Sequence, residues 1–277
     1  MFAKILTFFR NLAIAFMAFL VLLFPGLRDD PTDPTNPTEA TTVAEETTEE
    51  DPGTSEVVLP ISGSQQEIIR FYNRYGNAMK VYKGKVTVKK RSGTTSSIVN
   101  ITGGQGVRDY AEKFMINDYQ QRPTYTFTNG KSDRDNVNLS EWLPRYQSLA
   151  LSVLSSTGDN GIKYVTCEAV GDGCRITIVM KDDLVSGADA LSAKPKYVSK
   201  CMDTIELTAE DLKPFVLENA DVNYTECKIE AVFNAQGLLT KLDVKTPVDM
   251  ACKVRYGLIK IDADITSTYD ANYTFTY

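Results

Sequence analysis

The chain has 277 residues, 43% of them hydrophobic and 24% charged, with 30 basic and 36 acidic side chains and no histidine. That balance suits one globular domain or two small ones. The missing imidazole excludes Ser-His-Asp and Cys-His nucleophiles, histidine-ligated zinc and histidine proton relays.

Charge is spread unevenly. Residues 29–56 hold ten acids and no base, and residues 1–28 hold three bases and no acid, which leaves 57–277 at +1. No basic footprint for a nucleic acid exists.

Leu12 to Phe24 is an uninterrupted apolar run, and the stretch from Ile5 to Leu27 is long enough to span a bilayer, with Arg10 snorkelling towards the headgroups. Phe24-Pro25-Gly26-Leu27-Arg28 lacks the small-x-small pattern of a signal-peptidase site. Residues 1–28 therefore read as an uncleaved signal anchor and transmembrane helix, with secretion after cleavage as the alternative. Lys4 and Arg10 precede the run while Asp29 and Asp30 follow it, which puts the amino end in the cytoplasm and the rest outside. Residues 29–60 are rich in Pro, Thr and acids and bury too little apolar surface to offset their ordering entropy. They read as a disordered acidic stalk, and 61–277 as an extracytoplasmic domain.

Ser64 to Tyr82 carries Ile68, Tyr72, Tyr75, Met79 and Tyr82 at three-four spacing, and Ser64 with Glu67 forms a capping-box signature, so a helix is expected. Val86 with Val88, and Ile98 to Ile101, read as short strands. Gly106 to Gln121 reads as a second helix, Tyr125 and Phe127 as a brief strand, and Leu139 to Leu154 as a third helix weakened by Pro144. Ile162 to Met180 alternates about a turn at Val170-Gly171-Asp172-Gly173, a hairpin. Tyr197 to Leu207 reads as a strand, and Thr208 with Asp211 as the cap of a short helical turn limited by Pro214.

The last fifty residues alternate most cleanly. Cys227 to Phe233 leads to a turn at Asn234-Ala235-Gln236-Gly237, then Leu238 to Val244, a turn marked by Pro247, and Met250 to Tyr256. At Gly257 the phase slips by one, a bulge or tight bend, and continues through Ile259, Ile261 and Ile265 to Tyr277. Such alternation belongs to antiparallel sheets with one wet face. The fold class expected is α+β: a curved antiparallel sheet packed around two or three helices, behind the transmembrane helix and the disordered linker.

Cys167 and Cys174 flank the hairpin turn, and their side chains can approach across two strands, which leaves a disulfide between them open. Cys227 and Cys252 sit on apolar phases and read as buried thiols. No Cys-x-x-Cys exists, and the sequence from Asp133 to Asn138 departs from a calcium loop at Val137, Asn138 and Pro144, so no metal and no cofactor is expected. Asn100, Asn138, Asn223 and Asn272 head Asn-x-Ser/Thr sequons. The fourteen tyrosines are the most suggestive feature. An aromatic groove between helix and sheet, lined by Met79, Tyr82, Ile261, Tyr269, Tyr273 and Phe275, is the expected contact surface for an apolar or glycan ligand.

The phrase Ile229-x-Ala231-x-Phe233-Asn234-x-x-Gly237-Leu238-Leu239-Thr240-Lys241-Leu242, the alternating strands and the long terminal strand resemble the lipoprotein-carrier-type extracytoplasmic domains of bacteria. The order of anchor, acidic stalk, helix and strands is similar to that of uncharacterised anchored surface proteins of Gram-positive bacteria. The resemblance implies a curved antiparallel sheet wrapped round helices, with an apolar cavity. The acylated cysteine of lipid-modified carriers has no counterpart here. The function expected is a membrane-anchored binding or interaction domain without enzymatic activity, with a surface protein as one partner type. Its rivals are a carrier of a hydrophobic ligand such as lipid, and a carboxylate-based hydrolase in which two acids face each other across a cleft.

Overall fold

The computed structural model of the chain describes residues 57–277 apart from positions 114, 116, 147, 214 and 215. The expected anchor and nearly all of the stalk lie outside the described residues. Among those described, no helix is long and apolar enough to cross a membrane. The end of the stalk already belongs to the fold, because Val57 and Leu59 pack on the core and the Ser62 N–H donates to the Cys167 carbonyl.

Helix α1 (Gln65–Lys80) starts where the capping box predicts. The Glu67 N–H donates to Ser64 Oγ (3.3 Å) and the Ser64 N–H donates to Glu67 Oε2 (2.7 Å), so two of the donors that open a helix are satisfied reciprocally. Its buried stripe is Ile68, Ile69, Tyr72 and Met79, with Phe71 and Gly76. Ser64→Ala removes one half of the box and is expected to cost about 1 kcal/mol, read as a shift in the urea midpoint at unchanged slope.

Among the described residues eleven strands form one antiparallel, open sheet, with a few short helices beside it. The strands are β1 (Lys85–Ile101), β2 (Gln120–Gln121), β3 (Tyr125–Thr128), β4 (Lys131–Ser132), β5 (Ile162–Val170), β6 (Gly173–Met180), β7 (Asp183–Gly187), β8 (Val216–Tyr224), β9 (Lys228–Phe233), β10 (Leu239–Tyr256) and β11 (Ile259–Thr276). The main path runs β4-β3-β1-β11-β10-β9-β6-β5. Beyond β10 the sheet forks: its outer edge pairs with β9 over Leu239–Lys245 and with β8, itself bordered by β7, over Val248–Arg255. Short helices α2 (Gln105–Glu112), α3 (Leu139–Trp142) and α4 (Ala209–Leu212) lie in the connections.

One covered face holds the core. Phe233 sits against the edge of Phe71 (5.3 Å between centroids) and of Tyr72 (6.4 Å), which ties α1 to the centre of the sheet. Leu143, Leu151, Leu154, Leu191, Val198 and Leu207, from the irregular segments, belong to the same cluster. A Cβ at Gly173 would collide with the Phe233 carbonyl, so the close approach of β6 to β9 requires glycine there.

Several expectations are corrected. The two short strands at 86–101 are one strand, β1, of 17 residues. The second helix ends at Glu112 rather than near Gln121, and its Arg108 guanidinium donates to the Ile98 and Val99 carbonyls on the open edge of β1. The third helix ends after four residues: Leu143 precedes Pro144 and takes the extended conformation (ψ 163°) that a following proline imposes. Tyr197–Leu207 is no strand, but a 3-10 turn at Val198–Lys200 followed by irregular chain.

Pro247 marks no turn either. It lies inside β10 at the fork, past the last β9 pairing and before the first β8 pairing. Its carbonyl accepts the Thr225 N–H (3.3 Å) on that side. The N–H that proline lacks would point the same way, so no bond to β11 is lost. The phase slip at Gly257 is a chain reversal. Tyr256 pairs with Ile259 across a two-residue loop, and Gly257 takes φ +55° at its first position, where an ordinary side chain is disfavoured.

Candidate functional site

Towards the middle of β1 and β11 the covered face turns polar. Lys90, Ser92 and Thr94 continue the buried phase of Val86 and Val88, and Thr246 of β10 is buried as well. The Tyr269 hydroxyl is buried here beside Ser92 and Tyr273, and burial raises its pKa. Lys90 Nζ donates to the Trp142 carbonyl (2.8 Å) and stands over the rings of Trp142 (4.5 Å) and Tyr273 (4.9 Å). Lys80, in the last turn of α1, donates from Nζ to the carbonyls of Ser140, Arg145 (3.0 Å) and Leu143 (3.5 Å).

These two lysines answer the broken helix. A helix that stops at Trp142 leaves its last carbonyls without N–H partners, and two buried lysine amines supply the donors. The amide side of the same segment is held by one acid. Asp203 accepts the Tyr146 N–H (2.8 Å) and the Arg145 N–H. Arg145 has φ +55°, a conformation that lets successive amides converge on an anion. Residues 139–146 are thus clamped by two lysine side chains and one carboxylate.

Burial sets the electrostatics. It pushes Lys90 down to about 7, opposed by Asp203 and reinforced by Arg122 and Lys80. It pushes Lys80 down to about 8, opposed by Asp203, reinforced by Arg145 and opposed again by Glu141. The Asp203 carboxyl is raised by burial, against the N–H groups it accepts and the charges of Lys90 and Lys80.

The clamped segment walls a cavity of about 340 Å³. Arg145, Tyr146 and Ser148 stand on one side, and Lys194, Ser199, Met202, Asp203, Thr204 and Glu206 on the other. Lys194 and Glu206 are exposed and form no ion pair with each other. The lining can therefore meet a positive and a negative group on one ligand, with hydroxyls between. A second cavity, of about 290 Å³, is apolar and lined by Leu191, Leu207, Leu212, Val216 and Leu217 among others.

The expected groove residues are distributed as follows. Met79, Tyr273 and Phe275 are buried in the main core, with the Tyr273 and Phe275 rings stacked at 6.4 Å. Tyr82 meets the edge of Tyr277 (5.4 Å), whose hydroxyl donates to the Leu239 carbonyl (2.7 Å) and lies 3.3 Å from Met79 Sδ. Tyr269 packs at the rim of that core. Ile261 belongs to a separate cluster with Ile101, Val107, Val254 and Ile259, about 40 Å along β11 from Tyr273.

Cys167 and Cys174 are free thiols. Cys167 lies opposite Ile176 and Cys174 opposite Ala169, a diagonal rather than a facing pair, and burial pushes Cys167 up to about 12. Between Asp133 and Asn138, Asp133 Oδ1 accepts the Thr126 N–H (3.2 Å) and Asp135 Oδ2 the Tyr125 hydroxyl (3.0 Å). Among the described residues no group of three or more metal-ligating side chains is assembled.

Sequence reasoning missed Lys80, Lys90 and Asp203. The signal for Lys90 was its phase with Val86 and Val88, and for Lys80 its place four residues beyond Gly76 on the buried stripe. No protein-family model matches the chain, nor does any curated protein or any solved structure.

Proposed function

We propose that the chain is a membrane-tethered, extracytoplasmic binding domain whose ligand is a small polar molecule carrying both signs of charge. The tether and compartment are read from the apolar run within 1–28 and the acidic stalk behind it. The sheet, curved round α1, is the scaffold. One observation carries the ligand reading: a polar cavity of about 340 Å³ on which Lys194 and Glu206 open, with no ion pair among the described residues, between the hydroxyls of Ser148, Ser199 and Thr204 and the ring of Tyr146. That volume suits an amino-acid-sized or sugar-sized molecule.

Titration of the purified full-length chain in detergent with alanylalanine, cellobiose and palmitate separates the readings. The expected result is saturable binding of the zwitterionic dipeptide, weakened about tenfold by Lys194→Ala or Glu206→Ala, the equivalent of about 1.4 kcal/mol for one charged contact. Saturation by palmitate alone favours the hydrophobic carrier and assigns the apolar cavity. Saturation by cellobiose alone replaces the zwitterion with a neutral glycan, and failure of all three up to millimolar concentration overturns the binding reading.

A carboxylate-based hydrolase is the second reading, favoured because Asp203 and Glu206 line one cavity and burial raises the Asp203 carboxyl. Against it, Asp203 is engaged by two backbone N–H groups, a holding role.

A further inference from the structure

We propose that Lys90, seconded by Lys80, makes the 139–146 segment a protonation-controlled lid on the polar cavity, tight when the buried amine is neutral and loosened when it takes up a proton. The inference rests on that cavity as the ligand site, and concerns its regulation.

The geometry has three parts. The lid carries Arg145 and Tyr146 into the cavity wall, so its position decides the shape of the site. Its carbonyls at Ser140, Trp142, Leu143 and Arg145 are gathered by two lysine side chains that are almost wholly buried. Among the described residues neither lysine has a carboxylate within ion-pair distance, and Asp203 is the first of the acids that oppose the effect of burial on them. The lid's amides rest on Asp203, which is fixed to the far wall of the cavity.

The groups facing Lys90 are Asp203 beyond the 3-10 turn, Arg122 after β2, Lys80 on α1, and the rings of Trp142 on the lid and Tyr273 on β11. Arg122 is itself paired with Asp118 (3.0 Å). Lys80 is faced by Asp203, Arg145 and Glu141. Lifting the lid would hydrate Lys90, returning it to the ordinary lysine value of 10.5, whereas under the closed lid it holds a proton only below about 7. Between those values the open form binds one more proton than the closed form. Each pH unit downwards therefore favours opening about tenfold, until the two forms titrate alike near pH 7.

The chain offers its own reporter, because its single tryptophan is Trp142, on the lid and against Lys90. Two ligand-free measurements on the full chain in detergent test the lid. In hydrogen exchange, corrected for the intrinsic rate, protection of the 139–146 amides is expected to rise about tenfold per pH unit from pH 7 to 9. Trp142 emission should titrate with a midpoint near 7. Lys90→Met should abolish the emission titration and flatten the exchange profile to what Lys80 leaves. If that variant fails to fold, the wild-type emission decides alone, a flat trace from pH 6 to 9 overturning the proposal. Lid protection independent of pH, or an emission titration unchanged in Lys90→Met, overturns it as well. Since no ligand is present, failure here leaves the dipeptide titration standing, and failure there leaves the lid standing.

Discussion

Asp183→Ala is expected to destabilise the domain by about 3–5 kcal/mol, among the largest effects of any single side chain here. Asp183 opens β7, at the fork of the sheet, and is almost fully buried. Its Oδ1 accepts the Lys196 N–H (3.2 Å), and its Oδ2 accepts the N–H groups of Tyr197 (2.6 Å) and Val198 (3.0 Å). Those three consecutive donors begin the 3-10 turn that leads to Cys201, Met202 and Asp203. Without the carboxylate they face a buried hole with no acceptor and no room for bulk water, and each orphaned donor costs about 1–3 kcal/mol less what local rearrangement recovers. Asp183→Asn keeps one acceptor oxygen and should lose roughly half as much. Urea denaturation of both variants gives the answer. A loss under about 1 kcal/mol for the alanine variant would mean that the turn finds other partners and is not held by Asp183. The substitution should also weaken ligand binding, since the same turn carries the Ser199 and Asp203 wall of the cavity.

What was legible in the sequence follows from where period and punctuation agree. Ser64 with Glu67, the hairpin turn at residues 170–173 and the turn at residues 234–237 each combine a local hydrogen-bonding device with a change of phase, and each stands where the residues say. The last of these is closed by Asn234 Oδ1, which accepts the Gln236 and Leu238 N–H groups. Pro247 misled because proline reports only a missing donor. It cannot say whether a partner strand would have needed that donor, and at a fork none did. Leu139 to Leu154 misled because its apolar residues have helical spacing, yet the spacing is used by an irregular segment that buries Leu143, Leu151 and Leu154 after Pro144 has ended the helix. The polar site was least legible. Lys80 and Lys90 read as ordinary surface charges, and only three-dimensional closure, which sets carbonyls from 140–145 above them, turns them into buried donors. Asp203 lies in Tyr197–Leu207, which reads as a strand but folds as a 3-10 turn and irregular chain, so its role was hidden by a wrong element.

The second large effect is the dependence of global stability on pH, and the absence of histidine makes it readable. With no imidazole in the chain, the two buried lysines are described side chains that burial brings down to near neutrality. Lys90 falls from the usual 10.5 to about 7 and Lys80 to about 8. From pH 7 upwards the unfolded chain therefore holds protons that the folded chain has released, and stability rises with pH. The rise is about 1.4 kcal/mol per pH unit for each lysine fully within its window, so about 2 kcal/mol from Lys90 alone between pH 7 and 8.5. The buried thiols then reverse the trend. Burial pushes Cys167 and Cys201 up to about 12 and Cys252 to about 11, and raises Cys174 and Cys227, from a usual value of 9. Above pH 9 the unfolded chain loses protons that the folded chain keeps, five thiols outweigh two amines, and stability falls. Denaturation midpoints in a non-oxidising buffer should accordingly peak near pH 9. Lys90→Met should reduce the rising limb from pH 7 to 8.5 to what Lys80 leaves and steepen the alkaline limb, because it removes one of the two amines that oppose the thiols. A wild-type curve flat across that range, or a variant with the same rising limb, would show that Lys90 keeps its proton in the fold, held by the Trp142 carbonyl and the two rings more strongly than burial opposes it.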